Sequence, residues 1–161
     1  MSVIDEIKNK AKANKKTVVL PETTDMRTLT AAAEVISEGI ADIILVGKED
    51  EIKAKAEAEG LDLAKASFVD PENCDHLNTY IDSLCEARKS KGLLPEDAKE
   101  ILLSNPLFFG ATMVRVGDAD GMVAGAINSS ANVLRAALQV VKTAPGTEIV
   151  SAFMLMDTKA K

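Results

Sequence analysis

The sequence has 161 residues, a net charge of −6 from 19 basic and 25 acidic residues, and only 3% aromatic residues. An acidic chain lacks the basic face that non-specific nucleic-acid binding needs, and so few rings leave little surface for stacking bases. No apolar run reaches the ~18 residues of a membrane span, and the charged first 16 residues do not resemble a secretory signal. We therefore expect a cytoplasmic protein with neither nucleic acid nor a membrane as partner.

Helices and short apolar strands alternate along the chain. Apolar residues at helical spacing predict the helices, short apolar runs predict the strands, and Gly, Pro and Asp residues mark the boundaries. The predicted elements are a helix over 2–14, strands over 17–20, 42–46 and 66–69, helices over 26–38, 48–59, 75–89, 95–103 and 106–116, a strand over 122–124, a helix after Ser130, and a strand over 149–156.

This alternation is typical of an α/β protein with an open, mostly parallel sheet and helices on both faces. Ligands of such sheets bind outside the carboxyl ends of the strands. Three turns follow predicted strands, at Pro21–Thr24, at Gly47 and at Gly125. We expect these turns to lie along one edge of the sheet and to form a cleft.

The turn after Gly125 has the residue types of an anion site. Asn128, Ser129 and Ser130 precede a helix, and the unpaired N–H groups of a first helical turn attract negative charge. The same residue types also cap helices, so capping alone is the other interpretation. The helix is expected to bury Val133, Leu134, Leu138 and Val141, and to expose Arg135, Gln139 and Lys142.

Two arginines are the strongest candidates for binding phosphate groups. Arg135 lies on the otherwise small and apolar helix after Ser130, and Arg88 lies in the basic run Glu86–Gly92. The rigid fork of donors in a guanidinium matches phosphate geometry. The alternative for Arg88 is a solvated cation near a helix C-terminus, where the helix dipole favours it.

The remaining reactive residues fit structural roles better. Cys74 and Cys85 have no companion histidine pair for a metal site and are expected to be reduced thiols. His76 is expected to be a capping or surface residue. Asp118 and Asp120 are expected to shape a turn rather than to act as an acid–base pair.

Several motifs in this order resemble the N-terminal half of phosphate acetyltransferase. They are KKTVVLPETTDMRTL, GIADIILVG, FVDPE, EARKSKG and DADGMVAGA followed by VLRAALQVVKTAPG. Two positions depart from the family pattern, with Ala136 where the family usually has Pro and Asn128 where it often has His. The second departure leaves the preferred acyl group open.

The resemblance implies reversible transfer of an acetyl group between coenzyme A and inorganic phosphate. It implies that Arg88 and Arg135, with the turn Asn128–Ser130, bind coenzyme A as a substrate, and that no metal or prosthetic group takes part. It places the catalytic residues in the C-terminal half of the family, so this chain would hold none. The alternatives are a phosphate butyryltransferase-like enzyme and a non-catalytic truncated binding fragment.

The resemblance also implies the organisation of the chain. Residues 1–147 would be the N-terminal α/β domain of a two-domain acyltransferase fold, incomplete without a returning segment. Residues 148–161 would begin the second domain with the strand 149–156, and the full-length protein would be a homodimer. An apolar strand at this point has no following element to cover it, which favours the same interpretation.

Overall fold

The computed structural model describes residues 2–152 and 155–156. The helices are α1 (Val3–Ala13), α2 (Met26–Glu38), α3 (Glu49–Ala58), α4 (Leu77–Ala87), α5 (Pro95–Ser104), α6 (Pro106–Val116) and α7 (Ser130–Ala136), and the strands are β1 (Thr17–Leu20), β2 (Asp42–Val46), β3 (Ser67–Val69) and β4 (Gly121–Met122). Within the described residues, no helix has the length and hydropathy needed to cross a bilayer.

The four strands form one parallel sheet in the order β3-β2-β1-β4. The central strand β1 pairs Thr17–Leu20 with Asp42–Leu45 on one side. On its other side only two pairs join it to β4, Val18 with Gly121 and Val19 with Met122. The predicted open parallel sheet is confirmed, and its carboxyl edge carries the turns after Leu20, Val46 and Met122.

Helices cover both faces of the sheet, as the alternation of elements predicted. Neighbouring residues of a strand point to opposite faces, so Val19 and Leu20 lie in different cores. Leu20 packs with α2 and α3 around Leu29 and Ile52. Val19 lies in the larger core, which α4, α5, α6 and α7 build around Phe109.

Local chemistry fixes most helix boundaries. Asp25 accepts a hydrogen bond from the N–H of Arg27 and begins α2, and Gly39 ends it with a left-handed φ of 67°. Asn105 caps α6 through the N–H groups of Leu107 and Phe108. Such boundaries were predictable because the capping atoms lie within three residues of the helix they cap.

The C-terminal prediction is wrong for the residues that the structure describes. Positions 149–152 and 155–156 form no strand, and 153–154 and 157–161 lie outside the described residues. Ile149 is 79% exposed and Met156 is 74% exposed. An apolar run becomes a strand only when a neighbouring strand accepts its hydrogen bonds, and no described strand pairs with this run.

The buried face of the last helix also differs from the prediction. After α7 the chain continues as one π-helical turn, Ala137–Val141, which shifts the side chains around the axis. Ala136 and Val140 are fully buried, whereas Leu134 (49%), Leu138 (46%) and Val141 (40%) are exposed.

Candidate functional site

The turn after β1 lies between the turns after β2 and β4 at the carboxyl edge of the sheet. Its two buried polar residues are Glu22, which is 3% exposed, and Thr23, which is 6% exposed. The hydroxyl of Thr23 donates to the carbonyl oxygen of Val46 at 2.6 Å, which ties the end of β1 to the end of β2. Glu22 makes the corresponding tie to the chain after β4.

The turn after β4 wraps its backbone donors around the carboxylate of Glu22. Oε2 accepts from the N–H groups of Gly125 at 2.6 Å and Ala126 at 2.7 Å. Oε1 accepts from the N–H groups of Ile127 at 3.2 Å and Asn128 at 2.8 Å, and from the side-chain amide of Asn128 at 2.9 Å. Consecutive N–H groups of this kind form an anion-binding concavity, and here the anion belongs to the chain itself.

This geometry keeps Glu22 ionised. Burial by itself raises the pKa of the carboxyl, but the donors of Asn128, Ala126 and Gly125 outweigh burial and lower the pKa to about 2. Gly125 has a φ of 115°, a conformation that residues with a Cβ atom rarely adopt. The glycine therefore allows the turn to close over the carboxylate.

A second interaction, made by the exposed side chain of Arg27, joins the start of α2 to the turn after β4. The guanidinium of Arg27 donates to the carbonyl oxygen of Ala126 and binds Asp25 through two hydrogen bonds of 3.0 and 2.8 Å. Hydrogen bonding to Arg27 lowers the pKa of Asp25. Glu22 and Arg27 thus bring opposite charges to the turn after β4.

The structure places the sequence-predicted turn residues on this edge, where Asn128 and Ser129 have partners within the chain. The backbone and side chain of Asn128 both bind Glu22. The exposed Ser129 caps α7, since its hydroxyl accepts from the N–H of Asn132 at 3.3 Å. Ser130 is the exposed first residue of α7. Capping is confirmed for Ser129, and phosphate binding by Asn128, Ser129 and Ser130 stays a prediction.

Arg88 contacts the helical segment 130–141, which carries Arg135. Arg88 follows α4, is half-buried, and donates through Nη1 to the side-chain oxygen of Gln139. Gln139 follows Arg135 by four residues, about one helical turn. Arg135 is exposed and donates to the side chain of Asn132 at 3.1 Å.

The setting of Arg88 differs from that of a freely solvated cation. Its Nε atom is buried and has no hydrogen-bond partner among the described residues. A buried donor without an acceptor is rare in folded proteins. An acceptor supplied by a ligand would satisfy it.

The acidic residues Asp118 and Asp120 bond to distant parts of the chain rather than only within their own turn. Asp118 accepts from the buried Tyr80 hydroxyl at 2.5 Å and lies 2.9 Å from His76 Nδ1, and these contacts lower the pKa of Asp118. Asp120 accepts from the backbone of Thr17 at 2.8 Å. The described residues contain no cluster of three or more side chains able to hold a metal ion.

An apolar groove of about 520 Å³ lies beside the last helix. Leu134, Leu138 and Val141 form one wall, and Ile149 and Val150 of the C-terminal segment form the other. These five exposed apolar residues line one groove, which we call the C-terminal apolar surface.

Sequence reasoning missed the residues that hold the site together. Glu22 and Arg27 were read only as parts of a turn and a helix start, and Gln139 as an exposed residue. The available indication for Glu22 was a carboxylate between an apolar strand and a helix cap. Nothing in the local sequence indicated the pairing of Gln139 with Arg88, because 51 positions separate them.

The fold defines an open parallel α/β domain, a class in which ligands bind outside the carboxyl ends of the strands. Residues 2–161 match the family model described as phosphate acetyl/butaryl transferase. The chain belongs to that family.

Relatives and solved structures agree with this membership. The chain is 50% identical to a phosphate acetyltransferase of Thermoanaerobacterium thermosaccharolyticum, covering 98% of the chain and 47% of that protein. It is 48% identical to a phosphate acetyltransferase of Acetivibrio thermocellus, covering 97% of the chain and 46% of that protein. A phosphotransacetylase structure from Streptococcus pyogenes superposes with a TM-score of 0.86 at 32% identity, covering 92% of this chain and 46% of that one.

A second structure, the EutD phosphotransacetylase from Staphylococcus aureus, superposes with a TM-score of 0.81 at 34% identity and covers 91% of this chain and 44% of that one. The chain therefore spans about half the length of the relatives that it matches.

Proposed function

We propose that this chain is part of an enzyme that transfers an acetyl group between coenzyme A and inorganic phosphate. The observation that carries the proposal is 50% identity to a phosphate acetyltransferase over nearly the whole chain. In one direction the thiolate of coenzyme A attacks the carbonyl carbon of acetyl phosphate. The bond from that carbon to the phosphate oxygen breaks, phosphate leaves, and a base takes the thiol proton.

The chain's part in this reaction is to bind coenzyme A, which carries three phosphate groups. Arg88 has a buried donor without a protein acceptor, and Arg135 lies about one turn from the partner of Arg88. The turn Asn128–Ser130 begins the helix that carries Arg135. We propose these five residues as the coenzyme A site, with coenzyme A as substrate and no metal or prosthetic group.

The family resemblance assigns the base and the oxyanion donors to the half of the enzyme that this chain does not span. We accordingly propose that residues 1–147 form one domain, that residues 148–161 lead into a second, and that the full-length enzyme is a cytoplasmic homodimer. The 161-residue chain alone should then form acetyl-CoA at well below 1 s⁻¹, the lower end of the usual range for enzymes. A rate of 1 s⁻¹ or more would mean that catalytic groups lie within this chain.

The coenzyme A site is tested by calorimetric titration of the chain with coenzyme A. Changing Arg88 or Arg135 to Ala should weaken binding by about 10- to 150-fold, because each variant loses a charge-assisted contact worth about 1.5–3 kcal/mol. Lys99→Ala is the matched control, since it removes an exposed positive charge from α5. Equal affinities in all four proteins would reject the site.

The alternatives are separated by the acyl group. Joined to the second half of a relative, the chain should convert acetyl phosphate with a higher kcat/KM than butyryl phosphate. The reverse order would favour a phosphate butyryltransferase-like enzyme. Binding of coenzyme A without turnover in that joined form would favour the binding fragment.

A further inference from the structure

The β1–α2 turn is hydrogen-bonded to the chain on both sides of it at the carboxyl edge of the sheet. Thr23 ties it to the end of β2, and Glu22 ties it to the turn after β4. The two ties are unequal in importance, because β1 and β2 also pair along four residues, whereas β1 and β4 share only two pairs. Beyond β4 a single ladder-like bond, from the N–H of Val123 to the carbonyl oxygen of Val19, continues the pairing.

The turn Gly125–Asn128 therefore depends on Glu22 for its shape. Four successive N–H groups converge on the two oxygens of one carboxylate, at 2.6 to 3.2 Å. Without an anion at their centre these convergent N–H groups would lose their shared acceptor, and their dipoles would repel each other.

We propose that Glu22 is a positioning residue, whose carboxylate fixes the turn Gly125–Asn128 and thereby sets the place of Ser129, Ser130 and Arg135 at the carboxyl edge. The proposal rests on the proposed function for the identity of the ligand, coenzyme A. It does not require Glu22 to touch the ligand, because the carboxylate is enclosed by the chain's own donors.

The positioning of the turn by residue 22 depends on both the negative charge and the length of the Glu22 side chain. A glutamine at position 22 would keep one acceptor oxygen but would turn an NH2 group toward backbone N–H groups. An aspartate would keep the charge but would be one methylene shorter. Among the charged groups around this turn, Arg27 interacts electrostatically with Glu22, binds the same turn through Ala126 and pairs with Asp25.

The experiment compares the 161-residue chain with Glu22→Gln, Glu22→Asp and Thr23→Val. Thr23→Val is the matched control, because it removes a buried hydrogen bond from the same turn but leaves the chain after β4 untouched. Backbone amide resonances by 1H–15N NMR report the turn, and calorimetric titration with coenzyme A reports the ligand.

In Glu22→Gln the amide signals of residues 125–135 should shift, and affinity for coenzyme A should fall by about 10-fold or more, as when a supporting hydrogen-bond partner is removed from a binding site. Glu22→Asp should recover part of that loss. Thr23→Val should bind within about twofold of the unchanged chain, since the lost hydrogen bond ties the β1–α2 turn to β2 and not to the chain after β4.

Two results would overturn the proposal. One is unchanged amide signals over residues 129–135 in Glu22→Gln, which would show that the carboxylate does not position α7. The other is a shifted turn with unchanged affinity for coenzyme A. If the unchanged chain does not bind coenzyme A, the proposed function fails on its own, and the amide signals alone decide whether Glu22 positions α7.

Discussion

The carboxyl edge of the sheet buries polar side chains that are hydrogen-bonded, whereas the C-terminal apolar surface exposes apolar side chains. At the edge, the buried polar groups of Glu22 and Thr23 find partners on both neighbouring turns. On the C-terminal surface, Leu134, Leu138 and Ile149 remain exposed to solvent. The difference is that these polar groups of the edge are paired within the chain, whereas the C-terminal surface leaves a contiguous set of apolar side chains exposed.

The strongest way to break the edge is to remove the charge of Glu22. Glu22→Gln should lower the free energy of unfolding at pH 7 by about 3 kcal/mol, because the carboxylate with a pKa near 2 loses its charged hydrogen bonds. Urea denaturation followed by circular dichroism measures the change. Glu57→Gln, which neutralises an exposed carboxylate on α3, should stay within about 0.5 kcal/mol of the unchanged chain.

The same tie predicts how stability depends on pH. The pKa of Glu22 is about 2 in the folded chain and 4.5 for an unperturbed glutamate, so its contribution to stability is fully present above pH 4.5 and is lost as the pH falls toward 2. The stability difference between the unchanged chain and Glu22→Gln should therefore shrink over this interval. If this stability difference stays constant from pH 6 to pH 2.5, the hydrogen bonds of the Glu22 carboxylate do not stabilise the fold.

Two substitutions in the π-helical turn compare the buried and exposed sides of one segment. Val140→Ala should cost about 2 kcal/mol, because Val140 is fully buried in the larger core. Leu138→Ala removes a bigger side chain but should cost less than about 1 kcal/mol, since Leu138 is 46% exposed. Thermal unfolding of both variants gives the order. Equal costs would show that Leu138 is covered in solution.

The smallest change in stability is expected from shortening the chain. A chain ending at Thr147 should keep its helix content and should self-associate less, because Ile149, Val150, Leu155 and Met156 contribute exposed apolar side chains. Sedimentation velocity at equal protein concentration measures the association. If the longer chain is monomeric and the shortened chain unfolds, residues 148–161 are part of the core.

Much of the fold was predictable because its determinants are local. The first three strands, the six helices before β4 and the three edge turns follow from apolar spacing and from caps such as Asp25 and Gly39. The family resemblance was equally readable from separated motifs and is confirmed by the match over residues 2–161.

The errors lie where structure depends on distant partners. The apolar run at 149–156 has strand composition, but strand pairing needs a neighbour that the described residues do not provide. The π-helical turn after Ala136 shifts Leu138 and Val141 from the positions of a regular helix, whereas Leu134 is already exposed within α7. Neither the absence of this strand nor the exposure of these apolar residues can be predicted from a few neighbouring residues.

The sequence by itself determined the alternation of helices and strands and the caps that separate them. It also determined that Arg88 follows one helix and that Arg135 lies on another. Only the tertiary structure decided what fills the anion-binding turn, because its partner Glu22 lies 103 positions before Gly125. Short-range chemistry can place N–H donors at a turn. The acceptor that satisfies them is chosen by which strand becomes the neighbour in the sheet.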